Sequence, residues 1–341
     1  MPSEVPLSVA ALLLCIGCVE SNADSGHSGI GGGGHSATGG SASAGSGAVP
    51  QETGGATSIA NGCCKEFGSP TEVGQFTFSG LSELSGLVAS RANPGVLYAQ
   101  TDSGTAVVYA MSVTGTQLGT FTLTGVKAID WEDISVGPGP NSGSYLYIGD
   151  IGDNAAREGG GTPRTDIIVY RLPEPSVTAS ASVGSLSITN WERLRLTYPD
   201  GPHDSETLMV DPVTGDLLIV TKEDSGASKV FLAAGTTPAD TTTVLKLQAT
   251  LSIGTSGKDN ALVTAGDISP SGEAIILRTY KAIWQWCRQS DWASTFGIAP
   301  TQLPDATEPQ SEGLTFSYDG RAWYSAGEGD PTIYQGLSTC P

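Results

Sequence analysis

Asp204-Ser205-Glu206-Thr207-Leu208-Met209-Val210, then the turn Pro212-Val213-Thr214-Gly215-Asp216 and the apolar run Leu217 to Thr221, is the unit whose repetition decides the fold. An acid-led apolar segment, a Pro/Gly/Asp turn and a second β-branched segment read as strand, tight hairpin and strand. The opening half recurs at Ser82-Glu83-Leu84-Ser85-Gly86-Leu87-Val88, Asp130-Trp131-Glu132-Asp133-Ile134-Ser135-Val136, Ala265-Gly266-Asp267-Ile268-Ser269 and Gln310-Ser311-Glu312-Gly313-Leu314-Thr315-Phe316. The second half recurs at Pro270-Ser271-Gly272-Glu273 before Ala274 to Leu277, and at Tyr318-Asp319-Gly320 before Arg321 to Ser325. Taken at Glu83, Glu132, Glu206, Asp267 and Glu312, the copies lie 49, 74, 61 and 45 residues apart.

Each interval accommodates about four short strands, which is the period of a β-propeller blade. Five copies predict an all-β, five-bladed propeller, and the 74-residue interval has room for a sixth blade. A β-sandwich is the competing fold, but it gives no reason for the acid-led strand to recur. The last copy has only about 30 residues after it, too few for four strands. Gly74 to Ser79 is therefore expected to supply the missing outer strand, closing the ring with chain from both ends. The 46 glycines, 15% charged residues and three methionines also fit turn-rich β structure better than a helical bundle.

Toward the N-terminus, the apolar run Leu7 to Ile16 has the length of a signal-peptide core and is too short to span a bilayer. The leading stretch carries Glu4 and no Lys or Arg, unlike the usual positive start. Cys15-Ile16-Gly17-Cys18 resembles a bacterial lipobox, so residues 1–17 are expected to be a signal and Cys18 the lipidated residue; a plain secretory signal with incidental cysteines is the alternative. Residues 18–62 are dominated by Gly, Ser, Ala and Thr and read as a tether, leaving 63–341 as the propeller. Its core of about 42 residues has a root-mean-square span of roughly 35–40 Å. Four cysteines then remain: Cys63, Cys64, Cys287 and Cys340. In an exported chain they point to two disulfides, one from each of the adjacent pair, with the assignment open. A zinc site is disfavoured because no Cys-x-x-Cys pair remains.

The net charge of −19 excludes a general nucleic-acid binder. In a propeller, the starts of the first strands and the loops joining second and third strands share one face. Strand starts contribute Glu83, Asp130, Glu132, Asp204, Glu206, Asp267 and Glu312. Loops contribute Asp102, Asp150, Asp153, Lys222, Glu223, Arg278, Tyr280 and Glu328. So many carboxylates at one mouth need solvent, protons or cations. All-oxygen ligands favour calcium, with Asp130, Asp150, Asp153, Asp204 and Asp267 as its candidate ligands. Glu83, Asp102, Glu132, Lys222, Arg278, Tyr280 and Glu328 are the candidate ligand-binding set. The alternative role for the acids is structural: accepting backbone N–H groups from the next blade.

His203, Glu206 and Glu312 are the candidates for general acid-base chemistry. No Gly-x-Ser-x-Gly elbow, Walker loop or His-Glu-x-x-His occurs in the domain, which disfavours hydrolase-fold, nucleotide and zincin chemistry. The Ser-Gly-Leu, Asp-Trp-Glu-Asp-Ile, Gly-Asp-Ile-Gly-Asp-Asn and Glu-Gly-Leu motifs are similar to those of uncharacterised bacterial secreted or lipoprotein propellers, and distantly to phytase-esterase-like and gluconolactonase-like propellers. That resemblance implies a calcium-supported propeller with a ligand funnel. It carries over no catalytic residue, since the Asn-rich metal set of the lactonase group is matched here only by Asn154 and Asn260. The expected function is thus an envelope-anchored module binding a small-molecule, glycan or protein ligand, touching the membrane only through its anchor. A calcium-dependent hydrolase of phosphoesters, esters or glycosides and a purely structural envelope protein are the alternatives.

Overall fold

The computed structural model describes residues 63–102, 104–254 and 258–340. The expected signal, Cys18 and tether lie outside the described residues. After β1 (Thr71–Gln75), the first blade is built by β2 (Leu84–Ala89), β3 (Val96–Thr101), β4 (Gly104–Ser112) and β5 (Gln117–Ala128). The second contains β6 (Trp131–Pro138), β7 (Ser144–Asp150) and β8 (Ile167–Pro173), with the short helix α1 (Asn154–Glu158) between the last two. The chain then lends β9 (Gly184–Ile188) to the first blade, parallel to β5, before completing its own blade with β10 (Glu192–Thr197).

The third blade is β11 (Ser205–Val210), β12 (Leu217–Thr221), β13 (Lys229–Ala233) and, after β14 (Thr242–Val244) pairs in parallel with β10, β15 (Lys246–Thr250). The fourth follows α2 (Lys258–Ala261) and comprises β16 (Val263–Ile268), β17 (Ala274–Thr279), β18 (Ala282–Cys287) and, beyond α3 (Trp292–Phe296), β19 (Thr301–Leu303). The fifth is β20 (Gln310–Phe316), β21 (Ala322–Glu328), β22 (Asp330–Leu337) and β1. Five sheets make five blades. The 74-residue interval holds α1 and the lent strand β9 instead of a sixth.

The inner strands β2, β6, β11, β16 and β20 contact one another in ring order, and β2 touches β20. Being covered on both faces, they are almost wholly buried and read as continuous apolar runs, whereas the edge strands β1, β9 and β15 are largely exposed. Five apolar clusters fill the five junctions between neighbouring blades; one packs Tyr98 and Phe121 of the first blade against Trp131 and Ile148 of the second. The hairpin after β11 turns at Gly215, whose φ of 74° lies in the left-handed region that glycine tolerates.

Closure uses Thr71–Gln75, paired antiparallel with β22, so the outer strand begins three residues before the expected Gly74. The ladder continues through a bridge between Phe67 and Ser338, and Thr77 to Ser79 are left to line a surface pocket beside Phe76 and Pro331. Cys63 bonds Cys287 and Cys64 bonds Cys340, with Cα separations of 5.4 and 5.9 Å. Cys287 pairs with Ala274, immediately after the turn that follows an inner strand. Both bridges therefore lie on the face where inner strands end, and the chain enters the propeller there. Among the described residues no helix is long and apolar enough to cross a membrane.

Candidate functional site

Every inner strand breaks register at the same seat. Pairing with the second strand skips Ser85 in β2, Glu132 in β6, Glu206 in β11, Thr264 in β16 and Glu312 in β20. A bulged residue has no opposite partner and its side chain is re-aimed. Four of the five, Ser85, Glu132, Glu206 and Glu312, line a cavity of about 170 Å³ at the channel mouth together with Glu83, Asp102, Asp130, Asn154, Lys222 and Glu328. Thr264 instead donates its hydroxyl to the Ser311 carbonyl at 2.6 Å.

Seven carboxylates thus share a small cavity with one ammonium. Two of the seven, Glu132 and Glu206, group with Asp204 beside the cavity: each of the three offers an oxygen, all within 4.8 Å of one another, and their exposures are 7, 3 and 6%. Two ionised carboxylates 4 Å apart repel by about 4 kcal/mol at the effective dielectric of such a site. Protons or a cation must therefore be taken up. Burial, then Glu206, Asp130 and Asp204, pushes Glu132 well above the usual carboxyl range. Burial, and secondarily Asp204 and Glu312, pushes Glu206 up to about 8 despite the Lys222 ammonium paired with it. Glu312 is raised to about 7 and Asp130 to about 6, again chiefly by burial. Burial acts to lower Lys222, but Glu206 and Tyr280 together hold it above its usual value, and its Nζ donates to the Tyr280 hydroxyl at 3.0 Å. Tyr280 in turn donates to Glu312 at 3.1 Å, so Glu206, Lys222, Tyr280 and Glu312 form one chain.

A second tier holds these groups in place. Ser85 donates to the Glu132 carboxylate at 3.1 Å and to its carbonyl at 2.9 Å. Asp204 receives Arg157 Nε at 2.7 Å and the Asp153 N–H at 2.8 Å. Asp153 caps α1 by accepting from Ala156 N–H and also accepts from Arg164 N–H. Asp150 is pinned by the Arg164 guanidinium at 2.7 Å and accepts from the Ile129 and Asp130 N–H groups. Asp150 and Asp153 therefore shape the loop that presses Gly152 onto the cup. A Cβ at Gly152 would collide with Glu132 Oε1 and the Asp130 carboxylate.

Other expected residues lie elsewhere. Asp267 points between blades: it accepts from Phe316 N–H and Thr315 hydroxyl at 2.8 and 2.9 Å and pairs with Arg91 at 3.1 Å. Arg278 is fully buried against Glu308 at 3.0 Å and Asp305 at 3.4 Å and does not reach the cup. His203 borders a separate pocket with Tyr198 and Arg164, 3.0 Å from Asp200 and 3.5 Å from Glu223. Sequence reasoning passed over Ser85, which occupies a glutamate's seat, and Asp133, which accepts from Leu208 N–H at 2.9 Å and joins the second blade to the third. The adjacent acids of Trp131-Glu132-Asp133 were the only hint of that second role.

No protein-family model matches the chain, and no curated protein matches it in sequence.

Proposed function

We propose that this protein is an exported, envelope-anchored propeller whose mouth holds a calcium ion and receives a ligand there. The observation that carries the reading is the buried trio Glu132, Asp204 and Glu206. Opposite ligands of a calcium ion bound at about 2.4 Å lie about 4.8 Å apart, and an all-oxygen acidic set suits that hard cation. Export is supported by the two disulfides, which persist in oxidising compartments. Calcium should raise the melting temperature of the wild type and leave a Glu132→Gln/Glu206→Gln double variant unmoved; equal melting curves for wild type with and without calcium would refute the reading.

A second reading, a hydrolase of the same fold, is favoured by one observation: Glu312, raised to about 7, is hydrogen-bonded to Tyr280 at the mouth and is suited to general acid-base work. Turnover of an ester, phosphoester or glycoside that disappears in Glu312→Gln would select it.

A further inference from the structure

A second cavity of about 470 Å³ adjoins the cup at Lys222, which lines both. Its walls include Tyr280, Leu262 and Pro309, with Glu158, Asp259 and Gln310 around them. The volume falls within the roughly 300–1,000 Å³ of small-molecule sites. Its two cationic neighbours are already committed. Arg157 is spent on Asp204, Asp224, Asn154 and Glu158, and Lys222 on Glu206 and Tyr280. The exposed Asp259 carboxylate and the Glu158 carboxylate facing this vestibule are acceptors, and they outnumber its one amide, that of Gln310. A ligand matching it donates hydrogen bonds.

The neighbouring cup decides the ligand's charge. Among the described residues no cation pairs with Glu83, Asp102 or Glu328, and burial, Glu83 and Asp102 all act to raise Glu328. An anionic ligand approaching that wall would meet a field of its own sign. A calcium ion takes six to eight oxygens, more than three carboxylates supply in monodentate fashion. Neutral hydroxyl oxygens meet both demands: they ligate the ion and give their protons to carboxylates, while an apolar ring face rests on Leu262, Pro309 and Tyr280. We infer that the vestibule binds a neutral carbohydrate, presenting a pair of its hydroxyls to the cation in the cup. This rests on the calcium reading above, and the test separates the two.

The full exported chain is first titrated with calcium by calorimetry, then applied to an array of glucose-, galactose- and mannose-terminated neutral glycans and of sialylated ones, with calcium or with EGTA. Expected is retention of neutral glycans in calcium, falling at least tenfold in EGTA and in Pro309→Trp, a surface change that fills the vestibule while calorimetric calcium binding persists. Calcium binding without retention of any neutral glycan, retention indifferent to EGTA or to Pro309→Trp, or preference for sialylated glycans would overturn this inference alone. Absence of calcium binding would overturn both.

Discussion

The Lys222 ammonium is paired with the Glu206 carboxylate, and each side chain is 7% exposed. Lys222 is the one cation among the residues lining the cup, so its removal leaves the carboxylates to protons or to metal. Lys222→Met should lower stability by about 3 kcal/mol at pH 8, where the ionised Glu206 of the wild type loses the ammonium that holds its carboxyl down and must take up a proton instead. The loss should be smaller at pH 6, where Glu206 is protonated. Added calcium should recover more stability in this variant than in the wild type, read as the shift in melting temperature.

Gly152 has no room for a side chain against Glu132 and Asp130. Gly152→Ala should cost about 1 kcal/mol, the low end of overpacking, because the atoms it meets are carboxylate ends that can swing away. It should also weaken calcium binding at least tenfold in calorimetry, because the displaced carboxylate belongs to the trio.

Stability should depend on pH with a definite sign. Asp130, Glu312 and Glu206 have folded values of about 6, 7 and 8, above the unfolded carboxyl range, so the folded state holds more protons than the unfolded chain. Their stabilising contribution is present below about pH 4.5 and is lost as pH rises through 6 to 8. His203, raised mainly by its hydrogen bond to Glu223, acts in the same sense. Melting curves in EGTA should therefore fall between pH 5 and 8.5. Calcium should flatten them, its gain being larger at pH 8 than at pH 5.

The Cys64–Cys340 bond spans 276 residues and ties the entering chain to the end of the ring-closing blade. Replacing both residues by serine should cost about 2–5 kcal/mol. With Cys63–Cys287 intact the five-blade fold should persist, seen as unchanged far-ultraviolet circular dichroism and a lower melting temperature.

Five blades, terminal closure and the acidic mouth were all legible because strand, turn and acid recur together in the chain. The register was not. Glu83 and Asp267 look like counterparts of Glu206, yet the seat is taken by Ser85 in the first blade and Thr264 in the fourth. A bulge shifts which face each later residue occupies, and nothing in the side chains announces it. Asp267, three residues beyond the seat, consequently points between blades. The lent strands β9 and β14 were equally hidden, since parallel pairing to a preceding blade leaves no local signal. Arg278 was expected at the mouth from its place near the end of β17, but Glu308 and Asp305, which the repeats do not include, bind it inside the blades.

The most direct measurement is a crystal structure of the exported chain grown with calcium. The account predicts an ion at the channel mouth within 2.3–2.6 Å of oxygens from Glu132, Asp204 and Glu206. A mouth that holds only water in the presence of millimolar calcium, with Lys222 still paired to Glu206, would contradict it.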